Sequence, residues 1–102
     1  MSPDPNPAIV LLVRFKSNLS LEDVMKVVEE RADEFRALSG LIQKYYVQDA
    51  TTGEYGGLYL WESGQVLSDY RESELRSTIA TAYQTIGEPR IDVLNVLKTL
   101  RD

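Results

Sequence analysis

Two short runs hold most of the side chains with chemical reach, Leu41-Ile-Gln-Lys-Tyr-Tyr-Val-Gln48 and Tyr55-Gly-Gly-Leu-Tyr-Leu-Trp-Glu62. Lys44 is the most informative residue among them. An ammonium in the middle of a strand-like run, flanked by residues of a buried kind, needs a ligand anion, a carboxylate at an interface or cavity rim, or a stem that carries it out to water. Arg14, inside the apolar run Ala8 to Phe15, poses the same question near a strand end, where an exposed or interface ion pair also answers it. The chain of 102 residues has no histidine and no cysteine. That removes disulfides, iron–sulfur clusters, thiolate nucleophiles, the usual zinc and haem ligand and the commonest general base near neutral pH. Chemistry here must rest on Lys, Arg, Tyr, Trp, Asn or carboxylates, or on a cofactor held without axial ligation.

The elements that position these residues can be read from periodicity. Ala8 to Lys16 is apolar on both alternating faces until Arg14, as in a strand covered on both sides. Ser20 caps a helix whose Leu21, Val24, Met25, Val28, Ala32, Phe35 and Leu38 share one stripe, with the glutamates on the solvated side and Gly40 as the stop. Residues 41–48 and 55–62 form a hairpin with loop 50–53, in which Gly53 tolerates a positive φ. In that register Lys44 faces Tyr59, Ile42 faces Trp61, and Tyr46 faces Gly57, so Lys44, Tyr46, Tyr59 and Trp61 share a sheet face. Ser63 caps a short helix with Val66, Leu67 and Tyr70. A second segment beyond Ser73 carries Leu75, Ile79, Ala82 and Tyr83, Gly87-Glu-Pro89 is a loop, and Ile91 to Leu100 is the last strand.

The order β-α-β-β-α-β predicts an α+β, ferredoxin-like sandwich: a four-stranded antiparallel sheet with its helices on one face. Residues 1–7, with three prolines, read as an extended or disordered leader, and residues 8–102 as a single domain. The strands are apolar on both faces, so the second face calls for a cover, most economically a second copy related by a two-fold axis. A homodimer through the open sheet face is the expectation.

Net charge of −5 excludes the counterion-displacing mode of nucleic-acid binding. RNA-recognition modules share the topology, but aligning Tyr55-Gly56 to their third-strand pattern puts Gly57 and Leu60 where stacking aromatics belong. Acylphosphatases share it too, yet Lys16-Ser-Asn-Leu-Ser20 is not a glycine-rich phosphate loop. With no signal-peptide pattern and no apolar run of spanning length, a cytoplasmic protein without membrane contact is expected.

The stretch Gly40-Leu-Ile-Gln-Lys44-Tyr-Tyr46, followed by Gly53-Glu-Tyr-Gly56-Gly57-Leu-Tyr59-Leu-Trp61-Glu-Ser63, resembles the YdhR-like mono-oxygenases. These lie in the dimeric α/β-barrel superfamily beside the antibiotic-biosynthesis monooxygenases. The resemblance implies a homodimer with a small apolar cavity between sheet and helices in each subunit. It also implies oxygenation of a flat phenolic or quinol-type molecule without metal or flavin. The substrate loses a proton, its anion reduces dioxygen, and the protein desolvates, orients and stabilises that anion. Lys44, Tyr59 and Trp61 are then the catalytic candidates, with Trp61 a stacking face. Tyr46, Tyr70, Tyr83, Asn95 and Arg14 are candidate contacts for the substrate, and no cofactor or metal is called for. Tyr70 falls where some superfamily members carry a histidine, which argues against haem degradation. Packing roles stand beside each of these, and a non-catalytic small-molecule-binding or interaction protein of the same fold is the competing reading.

Overall fold

A computed structural model describes residues 7–101; the expected leader, apart from Pro7, lies outside them. β1 (Ile9–Ser17) leads into α1 (Leu21–Arg36), the hairpin strands β2 (Leu41–Gln48) and β3 (Tyr55–Trp61), then α2 (Gly64–Arg71). Two single turns follow, α3 (Glu74–Ser77) and α4 (Ile79–Ala82), before β4 (Thr85–Asn95). The sheet runs β2-β3-β1-β4 with every neighbouring pair antiparallel, the order of a ferredoxin-like α+β fold. No helix among the described residues is long and apolar enough to cross a membrane.

Three of the four helices, α1, α2 and α3, start at a serine cap. The Ser20, Ser63 and Ser73 hydroxyls accept from the backbone N–H groups of Asp23, Val66 and Arg76, satisfying donors that the first turn leaves free. The core is one-sided. Leu11, Val13 and Phe15 of β1 and Tyr59 and Trp61 of β3 meet Val24, Val28 and Phe35 of α1, Leu67 and Tyr70 of α2, and Ile79 and Tyr83. On the opposite face Val10, Leu12, Leu58 and Leu60 are only half-buried, and Tyr45 and Leu94 are about half exposed at 54% and 52%.

Two irregularities depart from the expected register. Ile42 does not face Trp61: a bulge between Leu41 and Gln43 pairs Leu41 with Trp61, and Leu41 packs against the core instead. From Gln43 outward the expected pairing holds, with Lys44 opposite Tyr59 and Tyr46 opposite Gly57. The last strand spans residues 85–95, not 91–100, and takes in the segment expected as a loop. Gly87, Glu88 and Pro89 stand against the single residue Phe15, between the pairs Arg14–Arg90 and Lys16–Ile86. Gly87 at φ +69° permits the kink, and β4 is an edge strand, where a proline without an N–H is tolerated. Strand-ending residue types therefore mark a bulge here, because pairing with β1 continues on both sides of it.

Gly56 measures how closely β1 and β3 approach. A Cβ there would collide with the Val13 carbonyl oxygen, which is backbone and cannot move aside, whereas one on Gly53 (φ +78°) would meet nothing. Gly56→Ala should cost about 3 kcal/mol in urea unfolding, and Gly53→Ala about 1 kcal/mol from backbone strain alone. Equal losses would show that the two strands are not so tightly apposed.

Candidate functional site

Lys44 sits mid-strand on the helix-covered face, and three features bring its amine inward. The β2–β3 register sets it opposite Tyr59. Gly57 supplies the room: a Cβ there would lie 2.9 Å from Tyr59 Cε1 and 3.3 Å from Lys44 Cε. The last turns of α1 close the box with Phe35, so that Lys44 Nζ lies 3.3 Å from the Phe35 ring centroid, 4.3 Å from that of Tyr46 and 4.5 Å from that of Tyr59. Ring faces attract a cation but accept no proton. Among the described residues no carboxylate forms an ion pair with Lys44 and no acceptor hydrogen-bonds its Nζ. Burial, helped by the Arg31 guanidinium, lowers the amine from its ordinary value of 10.5 to about 7.

Beside this amine lies a cavity of about 120 Å³ between sheet, α1 and α4. Val13, Val28 and Ile79 supply apolar wall, and Lys44, Tyr46, Tyr59 and Tyr83 supply polar groups. An apolar cavity of about 150 Å³ holds a benzene molecule, so there is room for about one ring. The exposed Leu21 and Met25 of α1 and Tyr46 also line it, marking the open side. Among the described residues the buried Tyr83 hydroxyl has no hydrogen-bond partner, and burial raises it to about 12, so it remains a donor across the neutral range. Desolvation also raises Tyr59 well above its ordinary range, and Tyr46 in the same direction. On the far side of Lys44 a groove of about 340 Å³ runs between α1 and β2, past Phe35, Arg36, Leu41 and Ile42, so the lysine forms part of the wall of both spaces.

The residues singled out from the sequence divide into three groups. Lys44, Tyr46, Tyr59 and Tyr83 converge on the cavity. Trp61 and Tyr70 stand behind it: Trp61 stacks parallel to Tyr59 with centroids 6.0 Å apart, and the Tyr70 hydroxyl donates to that of Tyr59 at 3.3 Å. Among the described residues the Trp61 indole N–H finds no partner. Arg14 and Asn95 are not brought to the site. Arg14 is on the opposite sheet face, 3.0 Å from Asp49, whose carboxyl the backbone N–H groups of Thr52 and Thr51 hold below its ordinary range. Asn95 is exposed at the far end of β4, opposite Ile9.

Periodicity placed Phe35 on the buried stripe but not over an amine, because only packing of α1 on β2 joins them. Arg31 was missed altogether. Its guanidinium donates to the Leu75 carbonyl at 2.8 Å and to Thr78 Oγ1 at 3.1 Å, tying α1 to the two short turns that carry Ile79. Among the described residues no three His, Cys, Asp or Glu side chains converge as a metal ion would require.

Burial of these groups makes stability depend on pH. Below about pH 7 native and unfolded chains both protonate Lys44, and the fold bears the cost of a desolvated charge. Between about 7 and 10.5 the unfolded chain keeps a proton that the native one has shed, so stability rises with pH. Beyond about pH 10 the unfolded tyrosines ionise while Tyr59, Tyr70 and Tyr83 stay protonated in the fold, and stability falls. Urea midpoints should climb and then drop accordingly. Lys44→Met should flatten the climb and, at about pH 6, outlast the parent chain. A variant weaker than the parent at that pH would mean that the ammonium is stabilised by a counter-ion.

The fold is shared with structures of low sequence identity. SnoaB from Streptomyces nogalater, a cofactor-independent oxygenase, superposes with a TM-score of 0.73 at 13% identity, covering 94% of this chain and 99% of that one. The monooxygenase of ActVA-Orf6 from Streptomyces coelicolor, solved with nanaomycin D, gives 0.70 at 20% identity, with coverage of 97% and 96%. A dimeric ferredoxin-like protein of unknown function from Thermobifida fusca gives 0.70 at 10%, with coverage of 91% and 94%. No curated protein matches by sequence. The family described as "Putative mono-oxygenase ydhR" matches residues 10–101, which take in every strand and helix described above except Ile9, the first residue of β1, and the chain belongs to that family.

Proposed function

We propose that the protein is a monooxygenase that needs no bound cofactor and oxidises one ring of a phenol- or quinol-type molecule, with Lys44 as the base. The carrying observation is the Lys44 amine, desolvated, without a counter-ion and half neutral at physiological pH, beside a cavity the size of one ring. Membership of a mono-oxygenase family supports the reaction class. The neighbouring cofactor-independent oxygenase fold supports a mechanism without a resident group.

The phenolic proton passes to Lys44 Nζ, and the ammonium then pairs with the phenolate it has made. One electron leaves the anion for dioxygen. Collapse of the radical pair forms a carbon–oxygen bond, and loss of water from the peroxide leaves a carbonyl. One oxygen atom enters the product, and the other departs as water with the two hydrogens removed from the substrate. Tyr83, an unpartnered donor at the cavity wall, holds the oxyanion, and Tyr59 forms part of the ring's bed. Trp61 and Tyr70 act by keeping Tyr59 in place rather than by touching substrate.

The functional unit in this reading is a homodimer joined through the open sheet face. Its half-buried Val10, Leu12, Leu58 and Leu60 make an apolar band with Tyr45 and Leu94. Light scattering should report twice 11.6 kDa, and a mass of one chain at micromolar concentration would reject the dimer.

Oxygen uptake with a metal-free panel of anthrones and quinols tests the chemistry. Parent protein should turn over at least one member, with a rising pH limb near 7. Lys44→Met should lower kcat by roughly a hundredfold or more, and Tyr83→Phe by roughly tenfold. Binding without uptake across the panel would instead assign a non-catalytic carrier.

A further inference from the structure

The sequence holds four lysines, and three of them, Lys16, Lys26 and Lys98, are exposed. Only Lys44 faces a cavity, and its surroundings are unusual in what they withhold. Three aromatic faces surround Nζ, yet the described residues offer neither a carboxylate nor a hydrogen-bond acceptor to occupy the amine. Once unprotonated, the nitrogen lone pair has only the contents of the two spaces that the lysine walls to engage. That is the environment of a nucleophilic lysine: an apolar pocket with another cation, here Arg31, close enough to weaken the ammonium. The other titratable groups against it are the phenols of Tyr46 on β2 and Tyr59 on β3, both of which remain protonated at neutral pH.

We propose that Lys44 captures small apolar aldehydes and ketones as an imine, making the cavity a covalent carbonyl-binding site whose action does not depend on oxygenation. The Nζ lone pair forms the new C–N bond as the carbonyl π pair moves to oxygen. A proton passes from nitrogen to that oxygen to give the neutral carbinolamine. The hydroxyl then leaves with the second nitrogen-borne proton as water, and C=N forms. No electrons are gained or lost overall. The apolar wall of Val13, Val28 and Ile79 takes the hydrocarbon part, and a volume of about 120 Å³ limits it to one ring or a short branched chain. Exclusion of water from that wall favours the dehydrated imine over the carbinolamine. At neutral pH about half of Lys44 is nucleophilic, against less than about one part in a thousand of an exposed lysine.

Benzaldehyde with sodium cyanoborohydride, followed by peptide mapping of the full chain by mass spectrometry, reads the site directly. At about pH 7 the benzyl adduct should fall on Lys44 at least roughly tenfold more than on Lys26 or Lys98, with a pH midpoint near 7. Lys44→Arg keeps the cation but cannot form the imine, and should remove that adduct while leaving labelling of the amino terminus unchanged. Labelling spread over Lys16, Lys26, Lys98 and the amino terminus with Lys44 untouched would overturn the proposal. So would a Lys44 midpoint equal to that of the exposed lysines. Oxygen uptake with the quinol panel is an independent measurement, so a failed oxygenase reading and a failed imine reading are told apart.

Discussion

Withdrawing most of a lysine side chain from water without giving its amine a counter-ion is costly unless the amine sheds its proton, and the centre of this fold is arranged around that constraint. Lys44 can stay inward because the β2–β3 register sets it beside Tyr59, because Gly57 leaves room for its stem, and because Phe35 closes over Nζ. Each support belongs to a different element. A side chain longer than hydrogen at 57 would press on Tyr59 and the lysine stem together. The ring of Phe35 arrives only through the packing of α1. The low proton affinity of the amine is thus a property of the assembled layers rather than of the lysine or its strand alone.

The aromatic cluster behind the site serves that arrangement. Trp61 lies parallel to Tyr59, Tyr70 packs against both and donates to the Tyr59 hydroxyl, and Phe35 joins the group from α1. Close packing of this kind leaves few alternative rotamers, so the Tyr59 ring beside the amine is held in one position. On the other side of the cavity, Arg31 ties α1 to the short turns bearing Ile79, and the Ser17 hydroxyl donates to the Tyr83 carbonyl. The apolar half of the pocket therefore depends on single turns latched by side chains rather than on a continuous helix.

Much of this is legible in the sequence. The serine caps, the one-sided stripe of α1, the four-residue hairpin loop and the β-α-β-β-α-β order all follow from local chemistry, and Lys44 stood out because a charge in a buried-type run has to be explained. The departures share one cause. Leu41 rather than Ile42 meets Trp61, and Gly87-Glu88-Pro89 lies inside a strand, because a bulge is decided by pairing with a neighbouring strand and not by the residues at the bulge alone. Arg14 makes the ion pair that its place near the strand end allowed, and only its partner, Asp49, 35 residues away, is decided by how the hairpin pairs with β1.

What the sequence by itself determined is the inventory and the alternation: no histidine or cysteine, one lysine in an aromatic hairpin, and strands apolar on both faces. These follow from residue types and from a side-chain period of two, which need no partner to be read. The tertiary structure decided which of the inward aromatics touch the amine, that Trp61 and Tyr70 brace the site from behind, and that Tyr83 brings an unpartnered hydroxyl to the same cavity. Those are relations between residues far apart in the chain. They are fixed by how α1 and the turns after α2 dock on the sheet, and the lowered proton affinity of Lys44 arises only once that docking has withdrawn most of its side chain from water.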